Sequence, residues 1–150
     1  MTPALLLLAA LAAEGWTVHT PEALATEIQA ACARATAAEK PVLLGFSAPW
    51  CLDCKVLHKL ESDPKVQAEL ANWERVVTDV GRFERHQSLL KELDGDRLAW
   101  WAALKPTAAQ CADSPATWPR LKVGGIEPAS SKKLQTVDDI VGWLTTARGG

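Results

Sequence analysis

The sequence contains no tyrosine and only two phenylalanines, so its aromatic content rests on seven tryptophans. Tryptophan is therefore the main aromatic of any core or binding surface. An excess of one charge is also lacking. Sixteen basic against 18 acidic residues leave a formal net charge of −2, which gives nucleic acid or an anionic membrane no electrostatic hold. Four cysteines (Cys32, Cys51, Cys54 and Cys111) are too few and too dispersed for a disulfide-rich scaffold. No G-x-G-x-x-G, P-loop, Ser-His-Asp pattern or basic stripe occurs, so nucleotide, phosphate and nucleic-acid roles have no sequence support. The apolar run at residues 4–13 is ten residues of Ala and Leu, too short to span a bilayer.

That run ends in Ala10-Leu11-Ala12, an A-x-A cleavage pattern, and turns polar at Glu14. It reads as an export signal over residues 1–13, leaving residues 14–150 as one domain and no membrane span in the mature chain. The n-region carries no Lys or Arg; the competing reading is a buried N-terminal helix. Export, to the periplasm or an equivalent compartment, would put the cysteines in oxidising surroundings.

Taken in order, Trp16-Thr17-Val18-His19 reads as a short strand. Thr20 then caps a helix with Pro21 in its first turn, running to about Lys40. Leu24, Ile28, Cys32 and Ala35 form its apolar stripe, which makes Cys32 a small buried hydrophobe. Val42 to Phe46 is a continuous apolar run, the pattern of a central strand covered on both faces. A helix begins at about Cys51, with Cys54 and Leu57 inward. Ser62-Asp63-Pro64 opens another, holding Val66, Leu70 and Ala71. Trp73 to Val80 reads as the next strand and residues 84–93 as a helix. From Arg97 to Thr117 the pattern loosens, with Leu98, Trp101 and Ala102 on a short helix. Trp118 to Val123 reads as a strand before a Gly124-Gly125 turn, with Ile126 opening its partner. Thr136 and Asp139 form a capping box for a last helix. This order predicts an α/β fold: a three-layer α/β/α sandwich on a mixed sheet.

The chemistry gathers at Ala48-Pro49-Trp50-Cys51-Leu52-Asp53-Cys54-Lys55. A strand that feeds a C-x-x-C at a helix N-terminus puts the first sulfur where unpaired N–H groups favour a thiolate. The second sulfur follows one turn on, within disulfide reach. The motif A-P-W-C-L-D-C-K at 48–55, followed by S-D-P-K-V-Q-A-E-L at 62–70, resembles the thioredoxin superfamily. More narrowly, it resembles the periplasmic C-terminal thioredoxin domain of DsbD-type thiol:disulfide interchange proteins. The likeness extends from about Lys40 to Leu93 and is patchy from Trp118 to Leu144.

The resemblance implies a thiol:disulfide oxidoreductase that needs no cofactor and works on disulfides of partner proteins, recharged by a redox partner. Cys51 would attack, and Cys54, buried behind it, would resolve the mixed disulfide. The resemblance also implies a substrate groove at Trp50, Trp118 and Pro119. Pro119 is the match for the family's cis-proline, and Pro115 is the alternative. Asp53 and Lys55 flank the sulfurs as tuning charges. Asp53 disfavours the thiolate and leans the couple toward reduction. His58, one turn beyond Cys54, is either a tuning group or a solvated helix histidine.

Three departures stand out. The family's buried carboxylate, six residues before the first cysteine, is Gly45 here. Trp118 is far bulkier than the residue usual before the cis-proline. About twenty extra residues, 97–117, lie ahead of Pro119 and place an insertion before the cis-proline strand. Cys111 within them is open to three fates: a third redox cysteine, a partner of Cys32, or a free thiol. Zinc lacks a second ligand pair. The expected form is a monomer without metal. A thioredoxin-fold adaptor with little turnover is the second reading, and a metallochaperone using Cys51 and Cys54 the third.

Overall fold

The computed structural model describes residues 16–149, so the apolar run at 4–13 and its cleavage pattern lie outside the described residues. Among the described residues five α-helices and four strands follow one another. They are α1 (Pro21–Ala38), β1 (Val42–Ser47), α2 (Leu52–Glu61), α3 (Pro64–Leu70), β2 (Glu74–Asp79), α4 (Gln87–Glu92), β3 (Trp100–Leu104), β4 (Arg120–Gly125) and α5 (Val137–Ala147). Local chemistry sets most of the ends. Thr20 Oγ1 accepts the Ala23 N–H at 3.1 Å at the start of α1, and Asp63 caps α3 ahead of Pro64. Thr136 and Asp139 form the capping box of α5.

The sheet runs in the order β2-β1-β3-β4. β1 pairs with β2 in parallel and with β3 antiparallel, and β3 pairs antiparallel with β4. Alternation along β1 separates its two faces. Leu44 and Phe46 meet Leu24 and Ile28 of α1. Gly45 faces the other side, where Trp101 of β3 packs edge-on against Trp143 of α5 with ring centroids 5.4 Å apart. The result is the expected α/β/α sandwich with a mixed sheet.

Three expectations need correction. Residues 16–19 form no strand, although the Thr17 carbonyl accepts the Asp79 N–H at 3.0 Å. The segment 98–104 is no loose helix, because Trp100–Leu104 is a fully buried strand between β1 and β4. Gly124 and Gly125 make no turn, since they pair with Trp101 and Trp100 inside β4. With β3 in place, the extra chain shrinks to the connection 105–119 between β3 and β4. That connection is stapled by a Cys32–Cys111 disulfide. Cys32 is buried as expected, but as half of a cystine.

Candidate active site

β1 delivers Ser47 to the edge of the core, and the chain turns through Ala48, Pro49 and Trp50 into α2. Cys51 is the N-cap of that helix. Its Sγ accepts the Cys54 N–H at 3.2 Å, and its carbonyl accepts the Lys55 N–H at 3.1 Å. The thiol thus takes the place that a serine or aspartate oxygen fills in other helices. Cys51 and Cys54 are free thiols, and both are buried, 6% and 3% exposed.

Their titrations are pushed apart. The hydrogen bond from the Cys54 thiol, more than any other cause, lowers the Cys51 pKa to about 7; the Cys54 N–H adds to it, and burial and the Asp53 charge oppose it. The same shared hydrogen bond, with burial behind it, raises Cys54 far above an ordinary thiol. One proton shared by two sulfurs leaves Cys51 the more acidic thiol of the pair.

Of the remaining predicted site residues, Trp50 stands beside the pair, 41% exposed. Its Nε1–H donates to the Gly81 carbonyl at 2.6 Å, Phe83 meets its ring edge-on, and the Arg82 guanidinium lies 5.5 Å above it. Asp53 is not a loose charge beside the sulfurs. It is buried, and its carboxylate accepts the Ala129 N–H at 2.7 Å, the Ser130 N–H at 2.9 Å and the Ser130 hydroxyl. Lys55 is exposed. His58 is half-buried with its ring centroid 5.0 Å from that of Trp16.

Trp118 and Pro119 are not brought to the dithiol. The Pro119 carbonyl accepts the Lys105 N–H at 2.9 Å, and Arg120 pairs with Leu104, which pairs with Val42. The dithiol follows Ser47, five residues further along β1, or about 16 Å at the rise of a strand. Trp118 is buried and donates its Nε1–H to the Gln110 carbonyl. The Trp118–Pro119 bond is trans, and the one cis peptide among the described residues is Leu98–Ala99. Ala99, not Pro119 or Pro115, shares a cavity wall with Cys54.

Gly45 has a steric reason. A Cβ there would stand 3.3 Å from Val77 Cγ2 and 3.4 Å from the Trp101 indole, so the bulk of Trp101 occupies the space a side chain would need. Sequence reasoning missed Trp101 in this role, as it missed Glu61 and Arg75. These two form a half-buried ion pair that lines the cavity beside Gly45 and Cys54. Only the placement of Trp101 in a strand would have signalled it. Among the described residues no three His, Cys, Asp or Glu side chains converge as a metal site.

Comparison with known proteins agrees with this geometry. A family described as "Thioredoxin-like" matches residues 22–97. Thiol:disulfide interchange protein DsbD 1 of Pseudomonas aeruginosa is 42% identical over 55 residues, 36% of this chain and 9% of that protein. DsbD of Yersinia enterocolitica is 41% identical over 70 residues, 45% of this chain and 12% of that protein. The match therefore spans only about a tenth of these curated relatives. A crystal structure of a disulphide isomerase from Xylella fastidiosa Temecula1 superposes with a TM-score of 0.63 at 26% identity, covering 86% of this chain and 98% of that one. A thioredoxin from Thermus thermophilus shares the fold with a TM-score of 0.52 at 21% identity, covering 91% and 86%.

Proposed function

The chain belongs to the thioredoxin-like family, and on that premise we propose that it exchanges thiols with disulfides of partner proteins in an exported compartment, in the reducing direction. The observation that carries the reading is the Cys51 sulfur at the N-cap of α2, bonded to the Cys54 N–H at 3.2 Å. The Cys51 thiolate attacks one sulfur of a partner disulfide. A mixed disulfide forms and the other partner sulfur leaves as a thiolate. Cys54, as thiolate, then attacks Cys51 Sγ. The Cys51–Cys54 disulfide forms, the partner leaves fully reduced, and a dithiol redox partner returns two electrons to the pair.

Two features support direction and compartment. A Cys51 pKa of about 7 matches the level of about 7 found in thioredoxin, against about 3.5 in a strong oxidant such as DsbA. The Cys32–Cys111 cystine suits an oxidising compartment, where structural disulfides persist.

The test is reduction of insulin by the purified chain with dithiothreitol, beside Cys51→Ser and Cys54→Ser variants. Turnover should need both thiols, and Cys54→Ser should trap partners as mixed disulfides at Cys51. A chain that leaves insulin oxidised with both thiols free is an adaptor, and the enzymatic reading falls. A reduction potential at the level of the strong oxidants would reverse the direction.

A further inference from the structure

Behind Cys54 lies a cavity of about 20 Å³, whose walls include Gly45, Cys54, Glu61, Arg75 and Trp16. A single water needs roughly 10–15 Å³ of such space and two to four polar partners. The partners are there. Trp16 Nε1–H and Arg75 Nε–H are buried donors without a protein acceptor, a condition that buried polar groups almost never keep in the absence of water. The Arg75 guanidinium is fixed from its other side by an ion pair to Glu61 Oε1.

The chemistry of the dithiol needs a proton exit at this place. In the reduced pair the Cys54 proton leans on Cys51. Once Cys51 is bonded to a partner, that acceptor is gone, and Cys54 must lose its proton before it can attack. At Gly45 there is no side chain to receive it, and Trp101 and Val77 close in on that position. Glu61 approaches from the other end of α2. It is seven residues beyond Cys54, two turns along the same helix face and about 10 Å up the axis. A glutamate side chain leaning toward the helix N-terminus, together with one water, spans that rise.

We infer that the cavity binds one water molecule and that this water passes the Cys54 proton to the Glu61 carboxylate when the mixed disulfide is resolved. The inference rests on the dithiol reading proposed above. Held by the Trp16 Nε1–H, the water keeps a lone pair for the Cys54 S–H. As it takes that proton it gives one of its own to Glu61. The Cys54 thiolate forms beside the Arg75 charge and attacks Cys51 Sγ, and the proton on Glu61 returns to solvent after the partner leaves. The titratable or charged groups facing the cavity are Cys54, His58 and Glu61 from α2 and Arg75 from β2. β1 and β3 contribute none.

Ellman's disulfide separates the two steps. The first equivalent of thionitrobenzoate is released by Cys51 attack, in a phase that depends on reagent concentration. The second is released by Cys54, in a concentration-independent phase. In stopped-flow traces from pH 5 to 9, Glu61→Gln should slow the second phase roughly a hundredfold, the low side of general-base contributions. It should change the shape of that phase's pH profile and leave the first phase unchanged. Trp16→Phe, which deletes one water-holding donor at the margin of the core, should slow the same phase severalfold and decides the matter should Glu61→Gln not fold. A second phase unaltered in rate and pH profile in the folded variants overturns the relay. So does a second phase that slows in His58→Gln but not in Glu61→Gln. Absence of any second phase in the unmodified chain overturns the dithiol function itself, and the relay with it.

Discussion

The Asp53 carboxylate holds the Ser130 backbone N–H at 2.9 Å across 77 residues of sequence. With the Ala129 N–H and the Ser130 hydroxyl as further donors, it pins the connection between β4 and α5 onto the first turn of the dithiol helix. The residue between the two cysteines is thus first of all a fastening. Its charge still acts on Cys51, whose pKa it raises slightly against the larger effect of Cys54. Asp53→Ala should lower stability by about 3 kcal/mol in urea unfolding, since hydrogen bonds to a charged group contribute about 1.5–3 kcal/mol each and neighbouring ones overlap. Asp53→Asn should move the reduction potential upward, because a better stabilised thiolate favours the reduced form. The rise should stay below about 30 mV, which corresponds to one pKa unit. A downward shift would contradict this account of Asp53.

Cys51 should show its titration directly. Iodoacetamide reacts with the thiolate, so the alkylation rate at Cys51 should rise with pH and level off above a midpoint of about 7. Below that midpoint the rate should fall tenfold per pH unit. The largest contribution to the lowered value is the hydrogen bond from the Cys54 thiol. Cys54→Ala removes that donor, and the midpoint should climb toward the free-thiol value near about 8.5. An unmoved midpoint would assign the low value to the helix N-terminus alone.

Much of this was legible in the chain, and the exceptions share a cause. Thr20-Pro21, Asp63-Pro64 and Thr136 with Asp139 announce helices through local hydrogen bonds, and local chemistry is what a sequence states outright. The run Val42 to Phe46 announces a buried strand in the same way. Leu98-Ala99-Trp100-Trp101-Ala102-Ala103-Leu104 is an apolar run too, but it holds no β-branched residue and has alanines that suit a helix. Only burial between β1 and β4 makes it a strand. That misreading drew the extra chain as 97–117, where β3 leaves only the connection 105–119. The Asp53 clamp, the Glu61–Arg75 pair and the Cys32–Cys111 cystine join residues 14 to 79 apart. No local pattern reports them.

Glu69 ties α3 to α5. Its carboxylate, 8% exposed, accepts Arg148 Nε–H at 2.7 Å and Nη2–H at 2.8 Å, and the Trp73 indole N–H at 3.0 Å. The Arg148 hydrogen bonds outweigh burial and hold its pKa below the ordinary glutamate value. A carboxyl group depressed in the folded state stabilises above its unfolded pKa of about 4.3, and that contribution is lost as pH falls through the lower folded value. Glu69→Gln should therefore cost about 2–3 kcal/mol at pH 7, less than a fully buried pair because Arg148 is partly exposed. Urea unfolding should show the gap from the unmodified chain closing as the pH drops below 4. A gap that persists undiminished would show that packing of the side chain, not its charge, is what matters.

The Cys32–Cys111 cystine should affect stability and leave the chemistry alone. It joins α1 to the 105–119 connection, 79 residues apart in sequence. In the chain-entropy account, closing a loop of that length restricts the unfolded state by about 4–5 kcal/mol at 25 °C. Cys111→Ser should lose several kcal/mol of that, read as a lower urea midpoint. The connection itself sits at the Val42 end of β1, while the dithiol follows the Ser47 end. The rates of both Ellman phases should accordingly stay within twofold of the unmodified chain under conditions where the variant is folded. Maleimide labelling of the denatured, unmodified chain should count two free thiols after selective reduction of Cys51–Cys54, with four appearing only after full reduction. An exchange rate that collapses in folded Cys111→Ser would make this cystine part of the electron path, and the separation of staple from active site would fail.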